Sequence, residues 1–288
     1  MRIASYHVHT NLCDGAETPR AMAEAALKAG MTDLSFTAHA AWPFATEWHL
    51  PLASYPAYSS EIARLKEEYA GKLRVLFGFE ADYIDGVTAP DPEFYARFAP
   101  DILVGSVHFV RADGGRNRAK GAPRSLWAVD APAQTVARGI ETLFAGDGRR
   151  AVEAYWSTVR DMVSSSRFDV VGHLDVVRRR NGELRFFDED ASWYRREARE
   201  TVRAIARSGK IVEINTGGIA RKSVTTPYPS ADILALLNRA GVPVTISSDA
   251  HSATDIACAY DLARAAARKA GYETLSFRDD SGWVQESF

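Results

Sequence analysis

Apolar positions along the chain gather into short runs separated by longer amphipathic stretches. Runs near Ile3–Tyr6, Asp33–Thr37, Leu73–Phe79, Ile102–Val107, Val170–Gly172, Ile211–Asn215 and Val244–Ser247 have the length and residue content of buried strands. Between them, apolar residues recur three and four apart over Glu61–Tyr69, Ala151–Ser164, Tyr194–Ser208 and Ala231–Ala240, which predicts helices. A further alanine-rich helix is marked by Thr18 as N-cap, Pro19 in its first turn and Gly30 at its end. Alternation of strand and helix argues for a parallel sheet. With no evident break between two halves, the pattern predicts an α/β fold built as one barrel domain over residues 1–288, with a doubly wound open sheet as the alternative. Two stretches fit neither period. Trp42–Tyr58 is rich in proline and aromatics, and Arg111–Pro132 carries Gly114, Gly115 and Gly121. Both read as long loops, which in compact domains are usually functional or disordered.

Composition narrows the function classes. The chain has 288 residues, 46% hydrophobic and 25% charged, with a formal net charge of −2. A disordered chain would be less apolar, and a nucleic-acid carrier would be strongly basic, so no nucleic-acid partner is expected. No apolar run approaches the roughly 20 residues needed to span a bilayer, and the opening MRIASYHVHT lacks a signal-peptide apolar core. Cys13 and Cys258 are too few for a disulfide framework, so a cytoplasmic setting without a membrane partner is expected. Cys13 itself reads as a packing residue.

The histidines carry most of the chemical information. His7 and His9 follow the first predicted strand, His39 the second, His108 the fourth and His173 the fifth, while His251 lies just past the seventh. Glu80 ends the third strand, Asn215 the sixth and Asp249 the seventh; only His49 falls elsewhere, in the aromatic loop. In a parallel barrel the C-terminal strand ends converge on one mouth, where barrel enzymes build their sites. Imidazoles with carboxylates suit zinc, manganese or iron. His7 and His9, two apart on a strand, point to one face and can share an ion. The number of donors exceeds what one ion takes, so two or three divalent ions are implied, with Glu80 as a candidate bridge.

As spelled here, His7-Val8-His9 with Asp14, Phe36-Thr37-Ala38-His39, Gly78-Phe79-Glu80, Ser106-Val107-His108, Gly172-His173-Leu174-Asp175 and Ser248-Asp249-Ala250-His251 resemble the polymerase-and-histidinol-phosphatase (PHP) superfamily. Within it, Glu213-Ile214-Asn215-Thr216-Gly217-Gly218, Arg221-Lys222 and Tyr228-Pro229 are similar to the pattern of the monofunctional L-histidinol-phosphate phosphatases. The resemblance implies a distorted seven-stranded (β/α) barrel with a trinuclear metal site at the C-terminal strand ends. It places His7, His9, Glu80 and Asp249 on one ion, Asp14, His39 and His251 on a second, and Glu80, His108 and His173 on a third. Asp14, His39, Glu80 and Asp249 thereby become the catalytic set. One departure is Ala38, where many members carry Asp before the second-strand histidine; it touches a contact behind the metal site.

The implied activity is hydrolysis of the phosphate monoester L-histidinol phosphate in histidine biosynthesis, with a metal-bound hydroxide as nucleophile. Asp175 and His39 are candidate proton donors to the leaving alcohol. Arginine suits the non-bridging phosphate oxygens, and Arg160, Arg221 and Arg196 are the candidates, with Asn215 as a further substrate contact. Trp42, Phe44 and Trp48 would form an aromatic lid. The competing readings are a PHP phosphoesterase for a nucleotide or another small ester, an amidohydrolase bridged by lysine, and a non-catalytic accessory module.

Overall fold

In the computed structural model, which describes residues 2–42, 44, 46–112 and 126–288, seven parallel strands form one sheet. They are β1 (Ala4–Ser5), β2 (Asp33–His39), β3 (Arg74–Asp82), β4 (Ile102–Ser106), β5 (Val170–Val171), β6 (Ile211–Asn215) and β7 (Val244–Ser247). Each pairs with the next in chain order. β1 and β7 are stitched just beyond their ends, where Val8 bridges to Ala250 in parallel. There the His9 N–H donates to the Ala250 carbonyl, and the Asp249 N–H to that of His7, each at 2.9 Å. The sheet is therefore a barrel whose seam closes at the C-terminal mouth. All seven residues of β2 are buried, as expected for a parallel sheet covered on its outer face.

That cover comes from helices α1 (Pro19–Lys28), α2 (Tyr55–Glu68), α3 (Ala133–Phe144), α4 (Gly148–Ser165), α5 (Ser192–Ser208), α6 (Ala231–Arg239) and α7 (Tyr260–Ala270). At the start of α1 the Thr18 hydroxyl accepts from the Ala21 N–H at 3.2 Å. None of these helices is long and apolar enough to cross a membrane.

Four departures from the sequence pattern have physical causes. Trp42–Tyr58 is not loop throughout, because Tyr55–Tyr58 form the first turn of α2. Pro56 sits in that first turn, where its missing N–H costs nothing, and the Tyr55 and Tyr58 hydroxyls accept from the N–H groups of Ala41 and Ala38. Helix α3 was hidden by Gly139, whose missing side chain admits Trp127: a Cβ there would lie 2.4 Å from the indole. Helix α7 buries Tyr260, Ala263 and Ala267, a face too small in side chain to stand out. Within Arg111–Pro132, Leu126–Ala128 pairs antiparallel with Phe109–Arg111, while residues 113–125, with Gly114, Gly115 and Gly121, lie outside the described residues.

The chain ends in a hairpin, β8 (Thr274–Asp279) and β9 (Gly282–Ser287), packed where the barrel strands begin. Trp283 meets Tyr6 edge-on at 5.1 Å. Arg2 clamps Asp33, at the start of β2, through Nε at 2.8 Å and Nη2 at 2.6 Å, and reaches Glu286 of the hairpin at 2.9 Å. Asp33 is buried, and losing Arg2 would leave it only the longer contact to Arg74 at 3.5 Å and the Thr32 hydroxyl. Arg2→Met should destabilise the fold by about 3 kcal/mol, lowering Tm by roughly 5 °C for a chain of this size. Thermal denaturation checks this, and metal content should stay at the wild-type level.

Candidate metal centre

The strand ends deliver the donors. His7 and His9 leave β1, His39 ends β2 in register with Glu80 of β3, and His108 and His173 follow β4 and β5. Asp249 and His251 follow β7, and Asp14 comes from the turn after His9. Asp249 adopts φ +48°, a left-handed backbone that Asp tolerates better than most residues. Such a conformation at a functional position is strain held by its surroundings. Here the seam hydrogen bond from its own N–H to His7 supplies part of that hold.

Glu80 stands at the centre and is 1% exposed. Its Oε2 lies 3.0 Å from His7 Nε2, 3.4 Å from His9 Nε2 and 3.0 Å from His39 Nδ1. Its Oε1 lies 2.9 Å from His173 Nε2 and 3.4 Å from His108 Nε2. Asp249 Oδ1 is 3.4 Å from His9 Nε2 and 3.8 Å from His7 Nε2. Asp14 meets His9, His39 and His251 at 3.4, 3.5 and 3.2 Å.

The donor set fits divalent ions. His7 Nε2, His9 Nε2 and His39 Nδ1 are buried with no hydrogen-bond partner, although all three crowd the same Glu80 oxygen. Orphaned buried nitrogens aimed at a shared carboxylate need a common cation. Three groups have ligand atoms within 4.8 Å of one another: His9, Asp14, His39 and His251; His7, His9 and Asp249; and His39, Glu80 and His108. The structure thus brings all nine expected positions together: His7 and His9 face Glu80 Oε2 and Asp249, His108 and His173 face Glu80 Oε1, and Asp14 meets His39 and His251, while His9 and His39 each also belong to a second group.

Two carboxylates that sequence reading passed over orient the rings. Glu213 accepts from His7 Nδ1 at 3.0 Å, and Asp82 from His108 Nδ1 at 2.9 Å. Each leaves Nε2 for a metal, the usual carboxylate–histidine–metal relay. Both lie two residues from a residue already singled out, on the same strand face, so strand periodicity was the signal available. Asn215 is corrected from substrate contact to buried brace: its Nδ2 donates to Glu213 at 2.6 Å and Asp249 at 3.2 Å, and its Oδ1 accepts from the Gly217 N–H. Only glycine fits at 217, since a Cβ would lie 2.7 Å from Asp249 Oδ2 and 2.8 Å from Arg221 Nη2.

Over the cluster opens a pocket of about 450 Å³, walled by Trp48 and Phe109 on one side and by Asp130, Arg179, Arg180, Arg221 and Tyr228 on others. Arg221 donates to Asp249 Oδ2 at 2.7 Å and to His251 Nδ1 at 2.9 Å. Arg160 and Arg196 are corrected as phosphate contacts. Arg160 is on α4 and pairs with Glu197 of α5 at 2.9 Å. Arg196 is an exposed residue of α5, 3.9 Å from the same carboxylate. Both belong to the outer helical layer, and the arginines on the pocket wall instead follow β5 and β6. Asp175 is corrected as a proton donor, being fully buried and held by Arg178 Nε and the Ser230 N–H, each at 2.8 Å.

In the aromatic loop, Trp42 is buried against Phe44, Trp48 and Phe109, and Trp48 meets His39 edge-on at 4.5 Å. His49, in the same loop, is buried against Trp42 and Trp48. Cys13 is half-buried, its Sγ 3.6 Å from His9 Nδ1.

The carboxylates of the cluster favour protonated imidazoles. Burial opposes the charged imidazoles, yet Glu80 and Asp14 together raise His39 to about 9, and Asp82 and Glu80 raise His108 to about 10. Burial likewise opposes an ionised Glu80, but His7, His39 and His108 hold it well below the carboxylate range. His251 is lowered by burial and by His9. Raised in this way, His39 and His108 hold their protons more tightly than a free imidazole, and a ligating nitrogen must shed its proton. Metal loading should release protons, and apparent affinity should rise as pH climbs from 6 toward 9. Titration calorimetry in buffers of different ionisation enthalpy measures the release. The corrected arginine positions make a second prediction. Arg160→Met should leave kcat/KM near wild type and lower Tm only slightly, whereas Arg221→Met should cut kcat/KM by about 2–4 kcal/mol in barrier terms, as read by steady-state kinetics.

Comparison with known proteins adds four findings. A relative from Deinococcus radiodurans named "Probable histidinol-phosphatase" is 32% identical over 275 residues, covering 94% of this chain and 95% of its own length. The Histidinol-phosphatase of Bacillus subtilis is 28% identical, covering 88% of this chain and 96% of its own. A histidinol phosphate phosphatase from Lactococcus lactis, solved in complex with zinc, L-histidinol and phosphate, superposes with a TM-score of 0.63 at 23% identity, over 95% of each chain. The PHP domain pattern matches residues 5–217, from β1 through the end of β6 and over most of the donor cluster, and on that match the chain belongs to the PHP-domain family.

Proposed function

We propose that this chain is a metal-dependent phosphatase that hydrolyses L-histidinol phosphate to L-histidinol and phosphate. The observation that carries this reading is the joining, in one pocket, of an imidazole–carboxylate floor to a wall with three arginines. Curated relatives of matching length named histidinol-phosphatase support the substrate. We take residues 1–288 as one barrel unit working in the cytoplasm, a setting consistent with two free cysteines.

Two to three divalent ions, zinc first given the imidazole-rich donors, would be held by His7, His9, Asp14, His39, Glu80, His108, His173, Asp249 and His251. Ions so held would activate water and offset phosphoryl charge. The remaining work belongs to the chain. Glu213 and Asp82 keep His7 and His108 in the tautomer that presents Nε2. Arg221, anchored on Asp249 and His251, presents a guanidinium beside the floor, where it meets non-bridging phosphate oxygens as charge moves onto them. Arg179 extends this positive wall. Trp48 and Phe109 provide flat apolar faces for the imidazole of the alcohol and keep water from that side. No lysine lines the pocket among the described residues, which counts against the lysine-bridged amidohydrolase reading.

Steady-state assays on metal-loaded protein test the assignment. L-Histidinol phosphate should exceed nucleotides and p-nitrophenyl phosphate in kcat/KM by more than about tenfold, roughly 1.4 kcal/mol of transition-state preference. A clear preference for a nucleotide would move the pocket to a different phosphate ester.

A further inference from the structure

One carboxylate on the pocket wall belongs to none of the three donor groups. Asp14, Glu80 and Asp249 all face the cluster, whereas Asp130 stands across from it beside Arg179 and Arg180. Its placement is built. The preceding residue, Val129, donates its N–H to the His108 carbonyl at 3.0 Å, tying the segment to the end of β4. Trp127, buried, donates its indole N–H to the Val136 carbonyl of α3. Arg180 Nε donates to the Ala131 carbonyl at 2.8 Å, and Arg179 Nη1 to Asp130 Oδ2 at 2.8 Å. The two arginines come from the turn Val176–Arg180 that follows His173. Asp130 is thus held at a set distance from two strand ends of the metal floor. Its Oδ2 is engaged, while its Oδ1 takes no hydrogen bond from the described residues.

A wall with three guanidiniums suits a phosphate dianion but has no use for a further anion. With Oδ2 paired to Arg179, the Asp130 Oδ1 is left facing the pocket as an acceptor that a ligand ammonium would fill. In a 2-aminoalkyl phosphate, two carbons separate the ammonium from the ester oxygen, so both charges fall within one pocket of this size. Resting on the histidinol phosphate reading, we propose that Asp130 is a specificity-determining residue whose Oδ1 receives the ammonium group of the amino-alcohol phosphate, while Arg179 holds Oδ2 and fixes the carboxylate's orientation.

The contact is to the alcohol portion and not to the phosphoryl group, which sets the test. Metal-loaded wild type, Asp130→Asn and Asp130→Glu are assayed with L-histidinol phosphate and with its des-amino analogue, 3-(imidazol-4-yl)propyl phosphate. A charge-assisted hydrogen bond of this kind is worth roughly tenfold to a hundredfold. Wild type should prefer the amine-bearing ester by that factor. Asp130→Asn should erase the preference by raising KM for that ester alone, with inhibition by L-histidinol weakened in parallel, and Asp130→Glu should keep part of it. Equal losses on both esters in Asp130→Asn would overturn the proposal and make Asp130 a prop for Arg179. So would equal kcat/KM for the two esters in wild type, a comparison that needs no variant to fold. In either case, continued preference for L-histidinol phosphate over nucleotides would leave the functional reading standing. Failure of wild type to prefer it over nucleotides would remove both.

Discussion

The Glu80 carboxylate, almost wholly withdrawn from water, lies within 3.4 Å of ring nitrogens from five histidines that arrive from four strands. An ionised carboxylate buried alone would cost several kcal/mol, and five imidazoles around it are tolerable only if cations or protons lie between. Much of the mouth follows from that requirement. The rings must be aimed, so Glu213 and Asp82 stand behind two of them. Asp249 must be turned inward, so its backbone is left-handed, its carboxylate is braced by Asn215 and Arg221, and glycine is kept at 217 to make room.

The barrel makes this arrangement affordable by separating the tasks of its two ends. Where the strands begin, the C-terminal hairpin, Arg2 and Asp33 supply packing and a buried ion pair. Where they end, backbone bonds across the β1–β7 seam hold His7, His9 and Asp249 against one another. The outer helices carry ion pairs of their own, such as Arg160 with Glu197, which stabilise the cover without facing the chemistry. The groups on the pocket wall then come from the connections after β2, β4, β5 and β6.

Chain order alone determined the seven parallel strands and the convergence of the histidines, because strand periodicity and the parallel alternation of strand and helix leave one mouth for all the strand ends. His7, His9, His39, Glu80, His108, Asp249 and His251 were legible for that reason, and Glu213 and Asp82 were within reach of the same two-residue period. What only the tertiary structure decided is which charged groups outside the strands look into the mouth. Arg160 and Arg179 are both arginines near β5 in sequence, yet one points to a neighbouring helix and the other into the pocket. Asp130 follows a segment with no strand period long enough to show, and its aim depends on Trp127, Val129 and two arginines more than forty residues away. A strand dictates the direction of its side chains through its own backbone geometry, so the ligands could be read from spacing. A loop or a helix surface takes its direction from what it packs against, and that partner is known only once the chain has folded.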